Sequence, residues 1–344
     1  MAVDWSRLFD ETRRDSEVIR YFFKRLLYVF PLVFLINVLT FMLFFLVNSP
    51  DDMARMHIGQ KHVTPEAISK WKSERGYDLP IFLNHSVEGG KKLTETIFFK
   101  KSLSLLVFEF GQSDDGRDIA LDIQQRMGPS LAIALPTMII GLVCNVMFAL
   151  FLVYFRYSLI DFWGSIICVG LMSISSLFFI IAGQFLLGKV MQIVPISGYA
   201  GGLASFRFVL APILVGVLAG LGSGVRWYRT LFLEEVEKDY VRTARAKGLS
   251  EFEVLFKHVL PNALIPILTG VVVVLPLLFT GSLITESFFA VPGLGSYTID
   301  AINQQDFAIV RSMVFLGALL YILGLLLTDL SYVLVDPRVR LGDQ

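Results

Sequence analysis

Glu234-Glu235-Val236-Glu237-Lys238-Asp239-Tyr240-Val241-Arg242-Thr243-Ala244-Arg245-Ala246-Lys247-Gly248 runs on into Leu249-Ser250-Glu251-Phe252-Glu253-Val254-Leu255-Phe256-Lys257-His258-Val259-Leu260-Pro261, a charged stretch between apolar runs at 208–221 and 264–284. Its residues predict two short helices with a break between them. Ala, Arg, Lys and Glu, which dominate the first, favour helix. Gly248 supplies a stop, because glycine enters the left-handed conformation at little cost. Ser250 followed by Glu253 makes a capping box that starts the second helix. Pro261 stands where that helix hands over to the next apolar run.

The composition around this stretch is that of a membrane protein. Of 344 residues, 55% are hydrophobic and 17% charged, with a mean hydropathy of +0.65. Soluble chains carry about a quarter charged residues. Net charge is zero, so the basic excess that marks nucleic-acid binding is missing, and no nucleic-acid partner is expected. Cys144 and Cys168 fall in apolar runs and read as small hydrophobes, not as a disulfide or a metal cluster. A span needs roughly 20 apolar residues. Runs at 28–47, 130–153, 163–187, 208–221, 264–284 and 309–335 predict an all-α integral membrane protein with about six transmembrane helices. The fourth is the shortest, and 222–227 extends it.

Residues 1–27 form a tail whose Val18, Ile19, Phe22, Phe23 and Leu26 recur at helical spacing between basic residues, an amphipathic lead-in to the first span. The run at 28–47 is too long for a signal core and lacks a small-residue cleavage site, so it reads as a retained span. Orientation follows from Lys and Arg in short connections. The N-terminal tail carries Arg7, Arg13, Arg14, Arg20, Lys24 and Arg25. The 226–261 loop carries Arg226, Arg229, Lys238, Arg242, Arg245, Lys247 and Lys257, and the 336–344 tail carries Arg338 and Arg340. The 287–307 connection carries none. Both termini and the 226–261 loop are therefore expected in the cytoplasm, and 48–129 outside as a subdomain. The core is then 130–335.

The charged stretch resembles the EAA loop of ABC importer permeases. That family places a glycine about six residues into the loop and a Leu-Pro pair about a dozen further on, as Gly248 and Leu260-Pro261 stand here. Tyr240 to Gly248 looks like the version in dipeptide, oligopeptide and nickel permeases, with Arg242 and Thr243 in place of the leading Glu-Ala. Arg226 and Arg229 resemble the paired arginines before the loop. Gly281-Ser282-Leu283-Ile284-Thr285-Glu286-Ser287-Phe288-Phe289 with Pro292-Gly293-Leu294-Gly295 resembles the exit of the fifth span. Asp329 and Asp336-Pro337-Arg338-Val339-Arg340 resemble the family's end.

The resemblance implies a type I ABC importer permease in a bacterial inner membrane, without a catalytic site of its own. Its implied partners are a second related permease, two ATPase subunits that bind the ATP, a periplasmic substrate-binding protein and a short-peptide cargo. Tyr240, Arg242, Thr243, Ala244, Arg245, Ala246, Lys247, Gly248, Leu249 and Pro261 would couple to an ATPase. Ala244 and Ala246 would allow close approach, and Arg242, Arg245 and Lys247 charge-assisted contacts.

Polar groups inside spans often face a cavity or a partner. Ser173, Ser175, Ser176, Gln184 and Glu286 are the candidates for lining a pathway, with Asn145 and Asp329 beside them. The serines stand where relatives show a proline, at a bend. Gly216, Gly220 and Gly224 form a small-residue face suited to close packing. Gly183 to Lys189 approaches a phosphate loop, but Val190 replaces the hydroxyl that would meet magnesium. His57 and His62 near Asp51 and Asp52 are not spaced for one helical face, and no metal or cofactor is expected. Thr64-Pro65 predicts a capped helix start, and 119–123 an interfacial helix. Two departures from the family, Asn48-Ser49-Pro50-Asp51-Asp52 in place of Pro-Gly-Asp-Pro and a short connection after the third span, bear on docking and cargo choice.

Nickel chelates, glutathione and other small solutes remain alternative cargoes. An ion-gradient-driven secondary transporter is the rival class, but no internal repeat or mid-span carboxylate favours it. An intramembrane enzyme would need a nucleophile with a base, or a metal set, inside the spans.

Overall fold

The structure, a computed structural model, describes residues 5–59 and 64–335. His62, the 336–344 tail and the side chains of 5–23, which carry much of the amphipathic lead-in, lie outside what is described.

Among the described residues the fold is helical, and extended pairing is limited to a bridge between Gln112 and Asp118. The helices in order begin with α1 (Trp5–Phe45), α2 (Pro50–Ile58), α3 (Pro65–Arg75), α4 (Lys91–Thr94) and α5 (Ser104–Leu106). Next come α6 (Ile119–Tyr154), α7 (Leu159–Met172), α8 (Ser176–Gly183), α9 (Ser205–Val236) and α10 (Asp239–Ala246). The series closes with α11 (Glu251–Val254), α12 (Leu260–Val274), α13 (Leu283–Phe289), α14 (Leu294–Gln304) and α15 (Phe307–Val335). Five helices are long and apolar enough to cross a membrane, and the count is six when the bent pair Leu159–Met172 and Ser176–Val190 is taken as one span.

Several boundaries differ from expectation, each for a local reason. Residues 119–123 are not a separate interfacial helix. They are the first turns of α6, where Asp118 Oδ1 accepts from the Ala120 amide at 2.8 Å and the Leu121 amide at 3.3 Å. The run expected as the third span is two helices bent by 91° at the serines. Ser175 starts the second half by accepting from the Leu177 amide at 3.3 Å, the N-cap bond of a new helix. The fifth helix begins at Glu251 and ends at Thr280, so the second helix of the charged loop is continuous with the span. A π-turn, Leu255–Val259, precedes Pro261. Such a widened turn accommodates a residue that has no N–H to give. Ile284, expected at the span's end, lies past the Gly281-Ser282 break in α13.

Two compact units divide the described chain: one takes in residues up to Gln125 and from Thr298 onward, the other Arg126–Tyr297. In the first, Phe41, Phe45, Met53, Ile68, Trp71, Tyr77 and Ile97 form a buried cluster, and α1 packs along α15. Arg25 pairs with Asp329 at 3.1 Å, which ties the middle of α1 to the last turns of α15. Thr64 caps α3 through the Ala67 amide at 3.2 Å. Asp306 caps α15, accepting from the Ile309 amide at 3.1 Å, and also accepts from the Asp114 amide at 2.7 Å. Asp114 in turn takes Arg75 Nε at 2.6 Å and lies 3.4 Å from His57 Nδ1. Burial pushes the Asp306 carboxyl above its usual range. Arg311, one turn into α15, is 3% exposed and sits over the Phe45 ring.

In the second unit α9 packs against α6 and α7 across glycines. A Cβ on Gly216 would come within 2.8 Å of Thr137, and one on Gly224 within 2.4 Å of Asn145. One on Gly222 would meet the Cys168 carbonyl at 2.6 Å. Gly220 has open space beside it. Of the three expected glycines Gly216 and Gly224 thus pack closely on α6 and Gly220 does not, while Gly222, outside that set, is turned toward α7.

Candidate functional site

The charged stretch folds as α10, a tight stop, and the start of the fifth span. Gly248 adopts φ +83°. Its amide donates to the Arg245 carbonyl at 2.9 Å, and the Leu249 amide to the Ala244 carbonyl at 3.4 Å. These two bonds make a Schellman stop, which calls for a left-handed residue at that position. Two residues later Ser250 and Glu253 exchange their capping bonds, both present as the spacing predicts.

α10 is amphipathic, and its two faces separate the ten residues expected to act together. Val241 and Ala244 are buried, packed with Val254, Leu255 and Val259 in the unit's own core, with Tyr240 and Leu249 against it. Arg245 forks onto Glu251, Nε to Oε2 at 3.0 Å and a terminal nitrogen to Oε1 at 2.7 Å. Asp239 and Arg242 are open to solvent at 97% and 73% side-chain exposure, and Thr243, Ala246 and Lys247 are exposed beside them. Ala244 and Arg245 therefore hold the helix to its own chain, because their atoms already have partners. The free face, turned to solvent, is Asp239, Arg242, Thr243, Ala246 and Lys247, with Arg242 paired only to Asp239 of the same face at 3.6 Å.

Below the loop, Asp161 at the start of α7 receives Arg229 of α9 as a bidentate fork, Nε to Oδ1 at 2.9 Å and a terminal nitrogen to Oδ2 at 2.8 Å. Both groups are mostly buried. Removing one partner of such a pair strands the other charge, at a cost of about 3 kcal/mol or more. Arg229→Leu is thus expected to lower the thermal midpoint of the purified protein markedly, and Asp161→Leu/Arg229→Leu together to recover most of it. A double variant as unstable as the single would show that the fork is incidental.

The candidates for a pathway are not gathered into one site. Ser173 bonds back to the Val169 carbonyl at 2.9 Å, Ser175 caps α8, and Ser176 is exposed in its first turn. Gln184 donates its amide to the Phe288 carbonyl at 2.8 Å and the Ile196 carbonyl at 3.2 Å. Glu286 is 1% exposed. One oxygen accepts from the Ser282 amide at 3.0 Å, the other from the Gly295 amide at 2.7 Å and the Ser296 amide at 3.1 Å. Ser130 completes the corner by accepting from the Leu294 amide at 2.8 Å. Glycines make room for it: a Cβ on Gly293 would fall 2.3 Å from a Glu286 oxygen. Beside this corner a cavity of about 380 Å³ is lined by Thr137, Met138, Gly216, Leu278, Ser282 and Thr285 among others.

Among the described residues no group of three or more His, Cys, Asp or Glu side chains could hold a metal ion. Asp52 is engaged in the capping box with Ser49, and Asp51 pairs with Lys72 at 2.7 Å.

Long apolar helices joined by a braced, charged helix define a multi-pass helical membrane protein. The model of the binding-protein-dependent transport system inner membrane component family matches residues 130–341, and the N-terminal model of such membrane components matches 18–89. The chain belongs to this family and is an ABC importer permease. It is 29% identical to the dipeptide transport system permease DppB of Lactococcus lactis, over 94% of this chain and 100% of that one. It is 29% identical to DppB of Bacillus subtilis, over 94% and 98%. Identity is also 29% to the di/tripeptide permease DppB of Pseudomonas aeruginosa, over 92% and 97%.

Proposed function

We propose that this chain is one of two related permeases through which an external binding protein passes short peptides, with two separate ATPases supplying the work. The free face of α10 is where an ATPase docks, and both termini lie on that cytoplasmic side. Residues 48–129 lie outside and receive the binding protein. The observation that carries this reading is the division of α10 itself. One face and both ends are tied to the spans, while Arg242, Thr243, Ala246 and Lys247 stay open. A helix braced in this way transmits a push as a rigid body. Peptide as cargo is supported by the relatives' names and by their near-complete coverage of the chain.

The chain itself carries no catalytic site in this reading, and ATP is bound and hydrolysed by the partner subunits. In sealed vesicles containing the permease pair, uptake of a labelled dipeptide is expected only when the ATPases, ATP and the binding protein are all present. Uptake by the permease alone on a proton gradient would overturn the assignment. Uptake of another solute with the same ATP requirement would overturn only the cargo.

A further inference from the structure

We propose that Glu235 is a positioning residue for the coupling helix, tying the first turn of α10 to both flanking spans, so that a push on α10 reaches α9 and α12 together. This rests on the docking role given to α10 above. Glu235 lies in the last turn of α9 and is 8% exposed. One of its oxygens accepts the Tyr240 hydroxyl proton, and the other accepts from Lys238 Nζ at 2.6 Å. The Tyr240 ring packs against the buried cluster to which Val259 and Ala263, at the start of α12, belong. Side chains thus join the end of α9 to α10 by hydrogen bonds, and α10 to the start of α12 by packing.

Two further features give this link its importance. The N-cap of α10 is Lys238, which makes no side-chain capping bond, so the usual local device for holding a helix start is missing. Between α9 and α10 only Glu237 and Lys238 intervene, a connection that swivels unless side chains hold it. The far end of α10 is already secured by the Gly248 stop and the Arg245–Glu251 fork. Without Glu235 the helix would be fixed at one end only. Burial, and then the Glu235 carboxylate, raise the Tyr240 pKa well above its ordinary value, so the phenol keeps its proton and remains a donor.

The test uses the whole transporter in vesicles and reads peptide taken up per ATP hydrolysed, for Glu235→Ala, Glu235→Gln, Tyr240→Phe and Glu235→Ala/Tyr240→Phe. Glu235→Ala is expected to let hydrolysis continue while uptake per ATP falls about threefold or more, a size ordinary for residues that carry coupling without touching either ligand. Glu235→Gln, which keeps an acceptor oxygen for Tyr240, should fall between. The double variant should be no worse than the worse single, since both changes cut one link. An unchanged ratio in Glu235→Ala overturns the proposal, as does full additivity in the double. If Glu235→Ala does not assemble, an unchanged ratio in the isosteric Glu235→Gln overturns it equally. Cross-linking of Thr243→Cys to the ATPase in an otherwise native chain is scored separately. Its failure removes the docking reading, whatever the Glu235 variants do.

Discussion

Gly248→Val is expected to abolish most uptake while leaving the protein in the membrane. The residue stands at φ +83°, and a β-carbon there would meet nothing within 4 Å. The cost is therefore conformational and not a clash. A left-handed L-residue costs roughly 1–2 kcal/mol, and a β-branched one is an outlier there. A penalty of that size cannot unfold several membrane spans, but the turn has an easier escape. Rotating to negative φ breaks the two stop bonds from Gly248 and Leu249 and redirects the chain into Ser250 and Glu251. The Arg245–Glu251 fork is then lost, and with it the brace on the far end of α10.

Uptake should accordingly fall about tenfold or more, each 1.4 kcal/mol of lost coupling being worth a factor of ten. The inserted amount should stay near wild type. Gly248→Asn, whose short polar side chain tolerates the left-handed region, should retain most of the uptake. The check is labelled-peptide uptake normalised to protein in the membrane fraction. Undiminished uptake in the valine variant would remove this turn from the coupling path.

What could be read from the sequence is divided by distance along the chain. The capping box of Ser250 and Glu253, the Thr64-Pro65 helix start and the Gly248 stop each depend on residues within a few positions, and each is present as read. The apolar runs were legible for the same reason, since a span's identity lies in its own 20 or so residues. Long-range ties were not. Asp161 and Arg229 are 68 positions apart, and Asp114 meets Asp306 across 192. Arg311, buried within an apolar span, gave a signal that the hydropathy of the run concealed. Its cue was the one Lys or Arg in the 309–335 run, five residues after Asp306.

Amphipathicity decided what composition could not. Ala244 and Ala246 are the same residue type two positions apart, so composition treats them alike. Helical geometry sends one inward and the other out, and only the outward one remains open to a partner. The serine cluster was legible as a bend, but the 91° angle comes from Ser173 ending one helix and Ser175 capping the next.

Glu286, read from the sequence as a candidate for lining a pathway, borders the cavity of the second unit and at the same time is bonded into the backbone of the α13–α14 corner. Its two oxygens satisfy three buried amides, and an orphaned buried donor costs about 1–3 kcal/mol. Glu286→Leu leaves all three without an acceptor, so the α13–α14 corner should lose about 3 kcal/mol or more. The expected result is a large drop in the thermal midpoint and in the amount of inserted protein. Glu286→Gln is the sharper variant. Its amide nitrogen must face either the Ser282 amide or the Gly295 and Ser296 amides, so it keeps one or two of the three bonds and should be destabilised less than leucine. Gly293→Ala, which drives a methyl to within 2.3 Å of the carboxylate, should resemble Glu286→Leu with the carboxylate still present. A Glu286→Leu protein of unchanged stability, with altered discrimination between basic and neutral peptides, would assign Glu286 to the pathway alone and refute its role as the anchor of this corner.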